Sequence, residues 1–212
     1  MKIKTPFYRF ALLRHAQTHW NAAKRIQGHL NSDLTDQGEK QVHLYVKKIK
    51  SLGFTAILSS DLGRALQTAK IINTYLNLPL VKDARLREQD WGRWAGKTLA
   101  AIKKEEKELL TRQIAAGWEF LPPEGETRRM VFERSCKALT RWAVTSEHVR
   151  TLVISHEGTI KCILYGLLNR KFLPSESPLM IPNHLHWVAY NGQNLLVEKV
   201  NERNMNVDGD KK

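Results

Sequence analysis

Leu12-Leu13-Arg14-His15-Ala16-Gln17-Thr18-His19-Trp20-Asn21 is the stretch that decides how this chain is read. It closes the run Phe7 to Leu13, apolar and aromatic with one arginine, short enough for a buried strand. An arginine and a histidine stand directly behind that strand. Val153-Ile154-Ser155-His156 repeats the arrangement, because Thr151 to Ile154 is a second continuous apolar run with a serine and a histidine at its end. In open α/β sheets, ligands bind beyond the carboxyl ends of the strands. Both histidines therefore fall where a site is expected.

The rest of the chain alternates strand and helix signals around these two. Thr35 is suited to cap a helix with Glu39 in its first turn and Val42, Tyr45, Val46 and Ile49 on one face, closed by Gly53. Thr55 to Leu58 reads as a strand. Ser59 or Ser60 then caps a helix carrying Leu62, Ala65, Leu66, Ala69, Ile72 and Leu76, with Pro79 beyond its end and Leu80-Val81 opening a third strand. Thr98 to Trp118 and Thr127 to Glu147 read as two helices separated by Leu121-Pro122-Pro123-Glu124-Gly125, and a further helix runs from about Thr159 to Leu168. Trp187 to Tyr190 and Leu195 to Val200 flank Asn191-Gly192, a hairpin signal, while Asn201 to Lys212 is polar and expected to fray. Alternation of this kind predicts a layered α/β/α sandwich with a mostly parallel central sheet. Residues 1–212 form one domain in this reading, with 98–126 as a helical insertion capping the site.

Composition narrows the function classes. Lysines and arginines number 34 against 21 acidic residues, a net charge of +13. A nucleic-acid footprint gathers its cations on one helix or run. Here the pairs Lys47-Lys48, Lys103-Lys104 and Arg128-Arg129 lie far apart, which fits a basic surface around an anion site rather than a nucleic-acid partner. No stretch approaches the roughly 18 apolar residues of a membrane span. Met1 to Phe10 lacks the apolar core of a secretory signal, and Cys136 and Cys162 are isolated, so a cytoplasmic protein with reduced thiols and no membrane partner is expected. His19, His29 and His43 do not fall at metal-ligand spacing, and His184 and His186 look like alternate residues of a strand, so no metal site is expected.

A neutral imidazole can attack phosphorus, but the phosphate's own charge repels nucleophiles. Such a site needs cations and N–H donors around the equatorial oxygens. Arg14 beside His15 supplies a planar fork matched to a phosphate.

Leu13-Arg14-His15-Ala16-Gln17-Thr18-His19-Trp20-Asn21 resembles the L-R-H-G-x-T-x-x-N signature of the histidine phosphatase superfamily, the phosphoglycerate mutase-like proteins. The likeness continues through Gln27-Gly28 and Leu34-Thr35-Asp36-Gln37-Gly38. It resumes at Ser59-Ser60-Asp61-Leu62-Gly63-Arg64-Ala65-Leu66-Gln67-Thr68-Ala69, at Leu86-Arg87-Glu88-Gln89-Asp90-Trp91-Gly92-Arg93-Trp94-Ala95-Gly96, and at Val153-Ile154-Ser155-His156 with Gly158 close behind.

This resemblance implies that His15 is the nucleophile and that Arg14, Arg64 and His156 converge on the transferring phosphoryl group. It implies that Asn21, Gln27 and Gly28 lie against the substrate. Glu88 would protonate the leaving oxygen and later take a proton from the attacking water. The expected activity is metal-independent hydrolysis of a small phosphorylated metabolite through a phosphohistidine, with no cofactor. Phosphoglycerate mutase-type transfer and a non-catalytic phospho-ligand-binding member are the alternatives.

Three positions stand apart from that assignment. Ala16 replaces the usual glycine after the nucleophile. Glu157 stands where many members have glycine, and it must either point away or pair with a cation such as Lys161. Glu124-Gly125-Glu126-Thr127 resembles a segment that faces the substrate in many members, but it reads equally well as a helix cap.

Overall fold

In a computed structural model, which describes residues 7–205, the chain forms a six-stranded sheet between two helical layers. The strands are β1 (Tyr8–Arg14), β2 (Ala56–Ser59), β3 (Leu80–Lys82), β4 (Arg150–Ser155), β5 (His184–Tyr190) and β6 (Leu195–Asn204), in the spatial order β3-β2-β4-β1-β5-β6. The first four in that order run parallel, and β5 and β6 close one edge antiparallel. The helices are α1 (His19–Ala22), α2 (Asp36–Ile49), α3 (Gly63–Leu76), α4 (Leu99–Glu105), α5 (Lys107–Ala115), α6 (Arg128–Thr145) and α7 (Glu157–Leu167).

Strand periodicity sorts the core into two halves. Ala11, Leu13, Ile57, Leu152 and Ile154 face Val42, Tyr45, Val46 and Ile49 of α2 and Ala65, Ala69 and Ile72 of α3. Phe10, Leu12, Leu58 and Val153 point the other way, onto Ala138, Leu139 and Ala143 of α6 and Ile160, Ile163 and Leu164 of α7. The central strands thus bury both faces, which is why they read as unbroken apolar runs rather than alternating ones.

Several local expectations change. The helix after β2 is not capped by Ser59 or Ser60. Its N-cap is Leu62, and the Asn31 side chain, brought in from another loop, accepts the Arg64 N–H at 3.0 Å. The single helix expected over Thr98 to Trp118 breaks at Glu106. There the Trp94 indole donates to the Glu106 carboxylate at 3.0 Å, a tertiary bond that local periodicity does not encode. Asn191-Gly192 sits in a longer turn than a two-residue hairpin, with the Asn191 side chain accepting from the N–H groups of Gln193 and Asn194. The expected fraying from Asn201 onward fails as far as Met205: β6 continues to Asn204, Met205 is buried, and residues 206–212 lie outside the described range. Glu124 to Thr127 serves α6 as a cap, with the Thr127 side chain accepting the Met130 N–H. No helix among the described residues is long and apolar enough to cross a membrane.

Helices α4 and α5 have a small core of their own, in which Trp94, Ile102, Leu110 and Phe120 are buried. Trp91 packs against that core, its ring centroid 5.4 Å from that of Phe120.

Candidate active site

Sheet order and register create the site. β1 pairs with β4 so that Arg14 lies opposite Ser155, and the His15 N–H donates to the Ser155 carbonyl at 3.0 Å. The residues after the two strands, His15 and His156, are therefore neighbours, with ring centroids 5.1 Å apart. β2 lies on the other side of β4. Its exit brings Ser60, whose N–H donates to the Ile154 carbonyl at 2.9 Å, and then Arg64 in the first turn of α3.

His15 is almost fully buried and held at both ring nitrogens. Nδ1 lies 2.8 Å from the Ala16 carbonyl, and Nε2 lies 3.2 Å from Arg64 Nε. A carbonyl oxygen only accepts and a guanidinium only donates, so Nδ1 carries the proton and Nε2 presents its lone pair. Burial holds the His15 pKa well below the usual histidine range, and the charges of Arg14 and Arg64 push in the same direction. Gly38, on α2, allows this geometry, because a Cβ there would sit 2.1 Å from the Gln17 carbonyl, in the turn that follows His15.

Arg64 is buried, and its guanidinium also donates to the Leu30 carbonyl at 2.9 Å and the Gly28 carbonyl at 2.8 Å. Burial lowers its pKa to about 10 despite the opposing charge of Glu88. His156 is fully buried. Its Nε2 lies 2.9 Å from Ser60 Oγ, which also accepts the Leu62 N–H at 3.3 Å. When the Ser60 hydroxyl donates to Nε2, the imidazole proton lies on Nδ1. Among the described residues this Nδ1 has no hydrogen-bond partner. Burial is the first cause that keeps His156 neutral, followed by the charge of Arg64.

Glu88 is fixed through its backbone and its carboxylate alike. Its carbonyl accepts from His29 Nε2 and from the Arg134 guanidinium, both at 2.9 Å. One carboxylate oxygen accepts the Gln89 N–H at 2.8 Å, and the other accepts the Gly158 N–H at 3.2 Å. A Cβ on Gly158 would lie 2.4 Å from that carboxylate, so glycine is what lets α7 start against the Glu88 side chain.

Arg14, His15, Asn21, Gln27, Gly28, Arg64 and Glu88 all line one cleft of about 360 Å³. Asn21 also closes the turn behind His15 by accepting the Thr18 N–H, while the buried Gln27 carboxamide oxygen has no partner among the described residues. Glu157 pairs with Arg14 rather than with Lys161. The cleft wall also includes Arg25, Trp91, Arg128, Lys161 and Phe172, which motif reading did not single out as substrate contacts. An adjoining recess of about 330 Å³ shares Arg14, His15 and Asn21 and is walled by Gln17, Gln37, Gln41 and Asn183.

Known proteins resemble this chain over most of its length. Residues 10–203 match the model of the histidine phosphatase superfamily, branch 1. A protein of Yersinia pestis described as probable phosphoglycerate mutase GpmB is 37% identical over 157 residues, 74% of this chain and 73% of that one. The solved structure of YhfR from Bacillus stearothermophilus superposes with a TM-score of 0.81 at 27% identity, covering 90% of this chain and 95% of its own. A mycobacterial glucosyl-3-phosphoglycerate phosphatase, solved with VO3, gives 0.79 at 26% identity over 92% of this chain and 98% of its own. The chain belongs to the histidine phosphatase superfamily.

Proposed function

We propose that this chain is a phosphomonoesterase that hydrolyses a small phosphorylated metabolite through a phosphohistidine on His15. The observation that carries the reading is the pair of hydrogen bonds that leaves His15 neutral, with Nδ1–H on the Ala16 carbonyl and the Nε2 lone pair directed toward Arg64. A phosphoryl group entering beside Arg64 meets that lone pair. Arg14, Arg64 and the Nδ1–H of His156 take its equatorial oxygens. Fixed donors of this kind act where charge develops in the transition state, and each is worth on the order of 10²–10³ in rate.

In the first step, His15 Nε2 bonds to phosphorus as the ester P–O bond breaks, and Glu88 gives its proton to the departing oxygen. In the second step, Glu88 takes a proton from water, whose oxygen bonds to phosphorus as the N–P bond breaks. The acid and base are thus one residue, returned to its starting state. This chemistry asks for no metal ion.

Mutase-type transfer is the second reading, favoured by the 37% identity to a protein described as a probable phosphoglycerate mutase. It would use the same His15 and deliver the phosphoryl group to another hydroxyl. The test is a panel of phosphorylated metabolites and a chromogenic aryl phosphate, run in EDTA with His15→Ala as control. Inorganic phosphate released by the wild type and not by the variant supports hydrolysis. A phosphorylated isomer without free phosphate supports the mutase, and no product at all from the folded protein overturns both.

A further inference from the structure

The catalytic proposal uses Arg14, Arg64, Glu88 and the two histidines, and besides Arg25, which donates to the Gly96 carbonyl at 2.7 Å, it leaves two other cations of the same cleft without a task. They are Arg128, the first residue of α6, and Lys161, in the middle of α7. Both lie over the ring of Phe172, with the Arg128 guanidinium carbon 4.7 Å and the Lys161 ammonium 5.4 Å from its centroid.

Two like charges held over one ring repel each other, and the charges of Glu157 and Glu176 offset this at Lys161 only in part. Among the described residues neither makes a salt bridge. Arg128 donates to the Gly117 carbonyl at 2.9 Å, and among the described residues the Lys161 ammonium has no hydrogen-bond partner. Glu157, one turn earlier on α7, is engaged by Arg14. Burial lowers the pKa of both cations, and the charge of Arg128 lowers Lys161 further. Each of these costs would be relieved by an anion between them.

Their position relative to the acid says what that anion belongs to. The Gly158 N–H holds the Glu88 carboxylate, and Lys161 lies three residues further along the same helix face, about 4.5 Å along the axis. A leaving group protonated by Glu88 would run along α7 toward this pair, with Trp91 and Phe172 among the walls available to its carbon chain.

Resting on the hydrolase reading, we propose that Arg128 and Lys161 form a second anion subsite, which selects phosphomonoesters whose leaving group carries another anionic group a few bonds from the ester oxygen. A carboxylate and a second phosphoryl group share that chemistry.

The test compares kcat/KM for a phosphorylated three-carbon hydroxy acid, a three-carbon bisphosphate and the uncharged-leaving-group analogue glycerol phosphate. The proteins are the wild type, Lys161→Gln, Lys161→Arg and, as a control outside the cleft, Arg129→Gln. The wild type is expected to favour at least one dianionic-plus-anionic ester over glycerol phosphate by tenfold or more, and which one shows the source of the anion. Lys161→Gln reduces that ratio at least tenfold, while Lys161→Arg and Arg129→Gln keep it. A wild-type ratio near one, or a ratio that Lys161→Gln leaves unchanged, overturns the subsite. If the wild type hydrolyses none of the esters, the hydrolase reading fails separately. Calorimetric binding of the same three esters to wild type and Lys161→Gln then decides the subsite by the same ratios.

Discussion

Arg14, the last residue of β1, ion-pairs with Glu157, the first residue of α7, so a carboxylate holds one of the cations proposed to grip the phosphoryl group. Both side chains are partly exposed, and a pair of that kind is worth roughly 0.2–1 kcal/mol. It nevertheless competes with substrate for Arg14 and places a negative charge beside the cleft. Glu157→Gln is expected to lower KM by up to about fivefold with kcat little changed. Steady-state kinetics with a single ester decides it, and an increased KM would mean that Glu157 orients Arg14 productively instead.

Ser60 is predicted to set the tautomer of His156. Ser60→Ala removes the hydroxyl 2.9 Å from Nε2 and lets the ring proton move away from the phosphoryl side. It also leaves a buried nitrogen unpaired, at about 1–3 kcal/mol. The expected loss in kcat/KM is about ten- to a hundredfold, one fixed donor's worth, in a protein that still melts cooperatively. A fully active Ser60→Ala enzyme would remove Ser60 from the account.

Gly158→Ala tests the acid without touching its carboxyl group. The new Cβ would meet the Glu88 carboxylate at 2.4 Å and must displace it. A misplacement of about 1 Å can cost on the order of a hundredfold in rate, so kcat is expected to fall about that far. Glu88→Gln should fall as far or further, since general acid–base catalysis is worth roughly 10²–10⁴. Undiminished kcat in Gly158→Ala would show that Glu88 is not held there for proton transfer.

Acid should destabilise the fold through its buried imidazoles. His15 and His156 have pKa values far below normal, and burial lowers that of His186 to about 4, where Nδ1 accepts the Asn201 N–H. For each, the unfolded chain binds the proton more readily than the folded one. Stability is therefore unaffected above the unfolded value near 6.5 and falls as pH drops below it, until the folded pKa is reached. The limiting slope is about 1.4 kcal/mol per pH unit for each histidine. Urea midpoints between pH 7.5 and 5 should fall below 6.5, and less steeply in His186→Asn. A flat profile across that interval contradicts the assignment.

The strand ends that carry His15 and His156 were legible because centrally placed parallel strands are buried on both faces and read as apolar runs, leaving the polar pair behind each as a visible punctuation. Arg64 and Glu88 were found by motif, not by periodicity. What stayed hidden rests on contacts between distant segments. Asn31 capping α3, Glu106 bonding Trp94 and Glu157 pairing with Arg14 join residues 33, 12 and 143 positions apart. Local propensity carries no record of such partners. Arg128 and Lys161 look like ordinary surface cations in the sequence and become cleft residues only when α6 and α7 pack side by side.

The most direct test of the central claim is to trap the phosphoryl group on the protein. Glu88→Gln is mixed briefly with an ester labelled at phosphorus, quenched in alkali, digested and mapped by mass spectrometry. The account predicts an acid-labile, alkali-stable phosphate on His15, absent from the Glu88→Gln/His15→Ala double variant. Turnover by wild-type enzyme with no phosphate on His15, together with an active His15→Ala protein, would contradict it.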